Sequence, residues 1–406
     1  MATKIVLGII LWARMKNLMM SEEVLRAIVR TIGTRKVSLH EPEFLGNESK
    51  YLEECLDSTF VSTVGKFVNE FESQLSEFTG VKHAIAVVNG TAALHVALLL
   101  SGVKPGDEVL VPSLTFVATG NAVVYCGATP HFIDSSESNL GINAEKLRTY
   151  LLSATKQVNG KCINRSSGRT IQTLVPMHTF GHVGDVDELI EVATEFNIAV
   201  VEDAAESLGS YYKNRHSGTL GLLGVISFNG NKIITTGGGG MLLTNDDLLA
   251  AKAKHLTTTA KISHPWEFRH DQVAFNYRLP NLNAALGCAQ MERIESIIYA
   301  KRKLYENYRN SFEGIEGLKL FREPPNSRSN YWLQTLILEK ENESLRDNIL
   351  ELTNASGYMT RPAWIPLSEL KQFEMAPRMN LETALSLSRR IINLPSSPKL
   401  AEVAMT

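Results

Sequence analysis

The sequence is sparing with the features that would place it in a special class. Four cysteines, Cys55, Cys126, Cys162 and Cys288, are scattered through 406 residues with no CxxC pair, which argues against a disulfide framework or a zinc site and fits a reducing cytoplasm. An excess of one charge is missing too. With 41 basic and 43 acidic residues the net charge is -2, so no global field gathers nucleic acid or an anionic membrane, and any bound anion must be held locally. No fixed-period repeat or low-complexity segment stands out. The apolar run Ile5 to Ala13, IVLGIILWA, follows Lys4 and mimics a signal-peptide core, but it is too short to span a bilayer and no small-residue cleavage site follows. It reads as a leader or a hydrophobic patch, with Met15, Met19 or Met20 as candidate starts.

At 44% hydrophobic residues the chain can bury a large core, in two or so domains. Ser21 is placed to cap a helix with Val24, Leu25, Ile28, Val29 and Ile32 on one face and Gly33 as its stop. Phe71, Leu75 and Phe78 mark a second helix, stopped by Gly80. Strand-like apolar runs then follow at Ala84 to Val88, Val109 to Val111, His131 to Ile133, Leu174 to Met177, Ala199 to Val201, Val225 to Phe228 and Met241 to Leu243. Amphipathic stretches such as Asn143 to Leu152 and Asp185 to Phe196 separate them, the pattern of an α/β fold with a mostly parallel sheet covered on both faces. Ser153 to Thr170 reads as a solvated insertion, and Ala284 to Arg309 as one long helix. A linker at Pro324 to Ser329 precedes a smaller unit, with a strand at Leu333 to Leu338 and a helix near Ser344 to Leu352. The expected division is a leader and docking helix over 1–40, a large α/β domain over 41–265, and an interface segment with a small C-terminal α+β domain over 266–406.

Ligands of open α/β sheets gather where strands end, so the residues after each apolar run carry the chemistry. Asn89-Gly90-Thr91-Ala92 opens a helix and offers free backbone amides to a phosphate, although the same residues make an ordinary turn and cap. Phe116 follows the second run and suits either core packing or stacking on a flat ring. Glu202-Asp203-Ala204-Ala205-Glu206 ends the fifth run, and a carboxylate at a buried strand end, here Asp203, requires a cation or several donors. Ser227 to Gly240, SFNGNKIITTGGGG, carries a single lysine, Lys232, between two strands. A lysine amine held where the backbone leaves a buried sheet is a candidate nucleophile for a carbonyl; on an open turn it is simply solvated. A phosphate-binding P-loop is excluded, since Asn231 stands between Gly230 and Lys232. One ligand offers handles for all of these groups. Pyridoxal phosphate has a phosphate for Gly90 and Thr91, a ring for Phe116, a ring nitrogen for Asp203 and an aldehyde for Lys232.

The blocks NGTAALHVAL, PSLTFVATGNAVVYCGATPHFID, VEDAAESLGS, SFNGNKIITTGGGG, FNYRLPNLNAALG and SNYWL, in this order from about Pro42 to Pro398, resemble the sugar-nucleotide aminotransferases of the DegT/DnrJ/EryC1/StrS family, fold type I of the pyridoxal phosphate enzymes. The resemblance implies Lys232 as the lysine joined to the cofactor and Asp203 as the partner of its ring nitrogen. Thr91, the amides of Gly90 and Ala92, and Ser227 resemble the phosphate cradle. Phe116 matches the stacking aromatic, and Glu206 stands where the family places a polar residue near the phenolic oxygen. Asn276 matches an asparagine that reaches the phosphate of the other subunit, which implies a homodimer with shared sites, and Arg278 is a candidate for the sugar-nucleotide anion.

The segments Met177 to His182 and Ala376 to Asn380 look most like the LegC-type branch. That likeness implies a UDP-linked 2-acetamido-2,6-dideoxy-4-hexulose as acceptor and L-glutamate as donor, giving a UDP-4-amino-4,6-dideoxy-N-acetylglucosamine. His178 and His182 suit strand-end packing as well as ligand contact, and no third ligand accompanies them to make a metal site. Gly237 to Gly240 departs from the GEGG of many members, and Gly221-Leu222 from their GD. Three alternatives stay open: a GDP-perosamine-type aminotransferase, a pyridoxal phosphate-dependent sugar dehydratase, and a non-catalytic cofactor-binding sensor. Lys232 favours amination over dehydration, because the dehydrating relatives carry histidine at that position.

Overall fold

The computed structural model describes residues 19–34 and 36–402, so the expected leader over residues 1–18 lies outside the described residues. Seven strands, β1 (His83–Val87), β2 (Glu108–Pro112), β3 (Thr129–Ile133), β4 (Ile171–Leu174), β5 (Ala199–Asp203), β6 (Leu223–Ser227) and β7 (Gly240–Thr244), form one sheet in the order β1-β7-β6-β5-β4-β2-β3. Only β7 runs against its neighbours; the pairings from β6 across to β3 are all parallel. Successive strand residues feed opposite cores, which is why these strands are apolar throughout. Ile85, Val87, Val225 and Leu242 pack under α4 (Gly90–Leu100), α5 (Val117–Tyr125) and α8 (Asp247–Thr257). Ala84, Ala86, Ile226 and Met241 face α3 (Lys66–Thr79) and α9 (Asn281–Met291). Further along that face, Leu110, Ile133 and Val200 lie under α6 (Ala144–Ala154) and α7 (Val186–Glu195).

The helix α10 (Ile294–Phe312) leads from the large sheet to a second, antiparallel one, β8 (Leu318–Leu320), β9 (Gln334–Leu338), β10 (Arg361–Pro362) and β11 (Ile391–Leu394), in the order β8-β9-β11-β10. Its apolar side packs against the helix at residues 19–32, α10 and α11 (Arg346–Ala355) through Val24, Ile28, Leu304, Tyr308, Leu336 and Ile349. Among the described residues no helix is long and apolar enough to cross a membrane.

Four local expectations change. The first helix already runs at residue 19, so Ser21 lies within it, while Gly33 ends it with a positive φ of 74°. The expected run Leu174 to Met177 leaves the sheet after Leu174, since Pro176 has no N–H to pair, and Met177 instead reaches a bridge with Asp203. The long helix from Ala284 divides at Glu292 and Arg293, where the Glu292 carboxylate accepts from the Asn47 amide and the Tyr51 hydroxyl. Ser153 to Thr170 is more ordered than a solvated insertion, with Thr155–Val158 and Lys161–Asn164 pairing as a hairpin.

Candidate active site

The parallel strands bring their carboxyl ends to one edge of the large sheet, and a cavity of ≈ 270 Å³ opens there. Asn89, in extended conformation after β1, caps α4 by accepting the Ala92 amide on Oδ1 at 2.8 Å. This engages an amide expected to serve the cradle. Ala92 is therefore buried outside the cavity lining, whereas Gly90 and Thr91 line it at the amide-bearing end of α4. A Cβ on Gly90 would come within 3.0 Å of the Ser227 Cβ, so the helix start and the end of β6 meet as one small cup. The close approach extends to the four-glycine run, where a Cβ on Gly240 would lie 2.5 Å from the Asn89 carbonyl carbon.

Asp203, the last residue of β5, is buried and lines the cavity. Among the described residues its carboxylate accepts only the Thr119 hydroxyl at 2.8 Å and the Ala205 amide at 3.2 Å. Burial raises its pKa above the usual carboxylate range, against the pull of those donors and of Lys232. Glu206 is buried one turn further on, accepting the Phe180 amide at 2.9 Å and facing the Lys232 Nζ at 3.2 Å. Burial pushes its carboxyl up to about 7, although Lys232 and the Phe180 amide both oppose the shift. Lys232 follows β6 with its side chain 13% exposed, and its Nζ lies 4.0 Å from the centre of the Trp332 ring. Phe116 stands half-exposed at the cavity, 6.4 Å from Trp364 between ring centres.

The structure thus brings Gly90, Thr91, Phe116, Asp203, Glu206, Ser227 and Lys232 to one cavity, although 142 positions separate Gly90 from Lys232 in the chain. Asn276 and Arg278 are outside it. Asn276 is exposed beside Thr258, and the Arg278 guanidinium is turned to the Thr63 carbonyl at 3.0 Å. His178 is engaged by Glu202 at 2.9 Å, and His182 is buried between Phe321 and Tyr331, where loss of water holds its pKa down to about 3. Both histidines are packing residues here. Among the described residues there is no cluster of three or more metal-ligating side chains. Sequence reasoning missed Thr119, Trp332 and Trp364 as lining residues. Thr119 and Trp332 sit inside the TFVAT and SNYWL blocks, but only the fold shows what they touch.

The donor set suits pyridoxal phosphate. A cup formed by a helix start and a serine fits its phosphate, a buried carboxylate short of donors fits a protonated ring nitrogen, and an amine lies within the same cavity. The fold and cavity define a pyridoxal phosphate-dependent enzyme. Residues 43–406 match the model of the DegT/DnrJ/EryC1/StrS aminotransferase family. The chain is 36% identical over 367 residues to the GDP-perosamine synthase of Vibrio cholerae, covering 90% of this chain and 95% of that protein. It is also 36% identical to EpsN of Bacillus subtilis, a putative pyridoxal phosphate-dependent aminotransferase, over 91% of this chain and 92% of the relative. The crystal structure of the aminotransferase TlmJ from Streptoalloteichus hindustanus superposes with a TM-score of 0.81 at 26% identity, covering 91% of this chain and 97% of TlmJ. The chain belongs to the DegT/DnrJ/EryC1/StrS aminotransferase family. It is a sugar-nucleotide aminotransferase with pyridoxal phosphate as its cofactor.

Proposed function

We propose that the enzyme moves an amino group from L-glutamate to C4 of a UDP-linked 4-keto-6-deoxy sugar, a UDP-2-acetamido-2,6-dideoxy-4-hexulose, and that it works as a cytoplasmic homodimer. The observation that carries the reading is the convergence of Lys232, Asp203 and the Gly90–Ser227 cup on one cavity. When bound, pyridoxal phosphate supplies an aldehyde that takes up the donor's amine and a ring that accepts the electrons left when a neighbouring carbon loses its proton. Lys232 Nζ would be the amine that holds the cofactor and, when free, the base placed to take up and return a proton in the cavity. Asp203 would face the ring nitrogen and favour a proton there, and its buried carboxylate, short of hydrogen-bond donors, would gain a cationic partner. Gly90, Thr91 and Ser227 bind the phosphate and retain the cofactor while Lys232 is free. Phe116, at the cavity wall, would stack on the ring, and Glu206, whose pKa is raised to about 7, faces the Lys232 Nζ at 3.2 Å.

Asn276 and Arg278 belong to the same proposal through the partner subunit. Asn276 is exposed on the segment after α8 and free to serve a neighbouring cavity, with Arg278 for the sugar-nucleotide anion. In this reading the 41–265 region carries the cofactor and the 266–406 region closes and completes the site. Glutamate alone should convert the cofactor-loaded enzyme to its amino form, and Lys232→Ala should abolish that conversion. Identification of products by mass spectrometry and NMR from a panel of UDP-, GDP- and dTDP-4-keto sugars tests the acceptor. Exclusive use of a GDP sugar would replace the UDP assignment, a second reading favoured by the likeness to GDP-perosamine synthases.

A further inference from the structure

The cavity has a second lysine behind it that the proposed mechanism does not use. Lys301, on α10, is fully buried, and burial holds its pKa well below the usual lysine value. Its Nζ donates to the Trp332 carbonyl at 2.6 Å and to the Ser396 carbonyl at 2.5 Å, two bonds that a neutral amine also makes with its two hydrogens. Removing a lysine head group from water is costly, so its placement needs a reason in what it holds. What it holds is Trp332. The backbone amide of Trp332 is fixed to the Asn330 Oδ1 at 2.8 Å, and its indole N–H donates to the Asn231 carbonyl at 2.6 Å, one residue before Lys232. Asn330 in turn donates to the Glu206 and Leu208 carbonyls, both at 2.9 Å. The indole face is thereby presented to the Lys232 Nζ at 4.0 Å, with the Glu206 carboxylate at 3.2 Å as the amine's other contact.

We propose that Trp332 is a positioning residue for Lys232: its ring, on a backbone held by Lys301 and with its N–H on the Asn231 carbonyl, confines the amine to the cavity and covers it from water. A lysine side chain is long and freely rotating, and an ammonium is drawn to an indole face. Holding the tip between a ring and a carboxylate keeps it aimed during the interval when it is not covalently joined. The tryptophan comes from the segment leading into β9, so the C-terminal part of the chain sets the aim of a lysine borne by the large sheet. The inference rests on Lys232 being the cofactor-bearing lysine.

The test compares Trp332→Leu, which removes the ring, with Trp332→Phe, which keeps a ring but lacks the indole N–H, and with Lys301→Met. In cofactor-free protein, acetylation of Lys232 relative to the exposed Lys252 is followed by peptide mass spectrometry. Uncovering the amine should raise that ratio about 5-fold in Trp332→Leu and less than about 2-fold in Trp332→Phe. Covalent capture of added pyridoxal phosphate at Lys232, trapped with borohydride, should slow about 10-fold in the leucine variant, with kcat falling equally and the KM for glutamate unchanged. Lys301→Met should shift both readouts in the leucine direction. A leucine variant that matches wild type, or a phenylalanine variant as impaired as leucine, would overturn the role of the ring. Should Trp332→Leu fail to fold, Trp332→Met takes its place. Wild-type protein that is not trapped at Lys232 would remove the functional reading as well, whereas normal trapping with an indifferent ring removes only this inference.

Discussion

Glu202 and Asp203 are consecutive at the end of β5 and are both buried, yet they face opposite sides of one sheet and live under opposite conditions. Glu202 accepts from the His178 ring and from the amides of Gly218, Leu220 and Gly221, all within 2.9 Å. Burial alone would raise its pKa, but His178 and the glycine amides outweigh it and hold the value below the usual range. Asp203 has a hydroxyl and one amide, too few to offset burial, and its pKa moves upward. A carboxylate saturated with protein donors is a structural tie. One left short, at the edge of a cavity, is kept for a ligand that brings its own positive charge.

Several substitutions would break or sharpen that contrast. The largest effect is expected for Asp203→Asn, which should lower turnover about 1000-fold, roughly 4 kcal/mol in the barrier, while the cofactor-free protein melts at or above the wild-type temperature. A melting temperature that falls sharply with turnover intact would reverse the assignment. Glu202→Gln should do the opposite: it sets an amide against backbone donors, and should cost about 2–4 kcal/mol in denaturant unfolding while turnover of the folded fraction stays within a few-fold of wild type.

Glu206 extends the comparison to pH. Its folded pKa of about 7 lies above the ordinary 4.5, so between those values the native state keeps a proton that the unfolded chain has released. The stability linked to this group is complete below about 4.5 and is lost as pH rises to about 7. Glu206→Gln carries no such loss. In cofactor-free protein it should therefore gain about 1–3 kcal/mol on wild type between pH 4.5 and 8, read from urea unfolding at each pH; a constant difference across that range would show that Glu206 titrates normally. The smallest effect is assigned to Thr119→Val. Loss of its hydroxyl from Asp203 should weaken cofactor binding about 10-fold by equilibrium titration, and unchanged binding would mean that the hydroxyl does not orient the carboxylate.

The strands of the large sheet were legible because each is a short apolar run ended by a turn, and burial on both faces removes the ambiguity of alternation. The residues at their carboxyl ends were legible for the same reason, since each candidate follows directly from a strand. What stayed hidden depends on partners distant in sequence. The Glu292 carboxylate at the helix break meets Asn47 and Tyr51, more than 240 positions away. Trp332 carries no sequence-level sign that the fold lays it over Lys232, 100 positions earlier in the chain. Asn276 and Arg278 came only through family resemblance, and a single chain leaves both outside its own cavity.

The most direct measurement is a peptide map of the enzyme after reduction in the presence of pyridoxal phosphate. The expected result is a single phosphopyridoxyl modification, carried by the peptide containing Asn231-Lys232-Ile233 and lost in Lys232→Ala. Stoichiometric modification at any other lysine, or none under saturating cofactor, would contradict it.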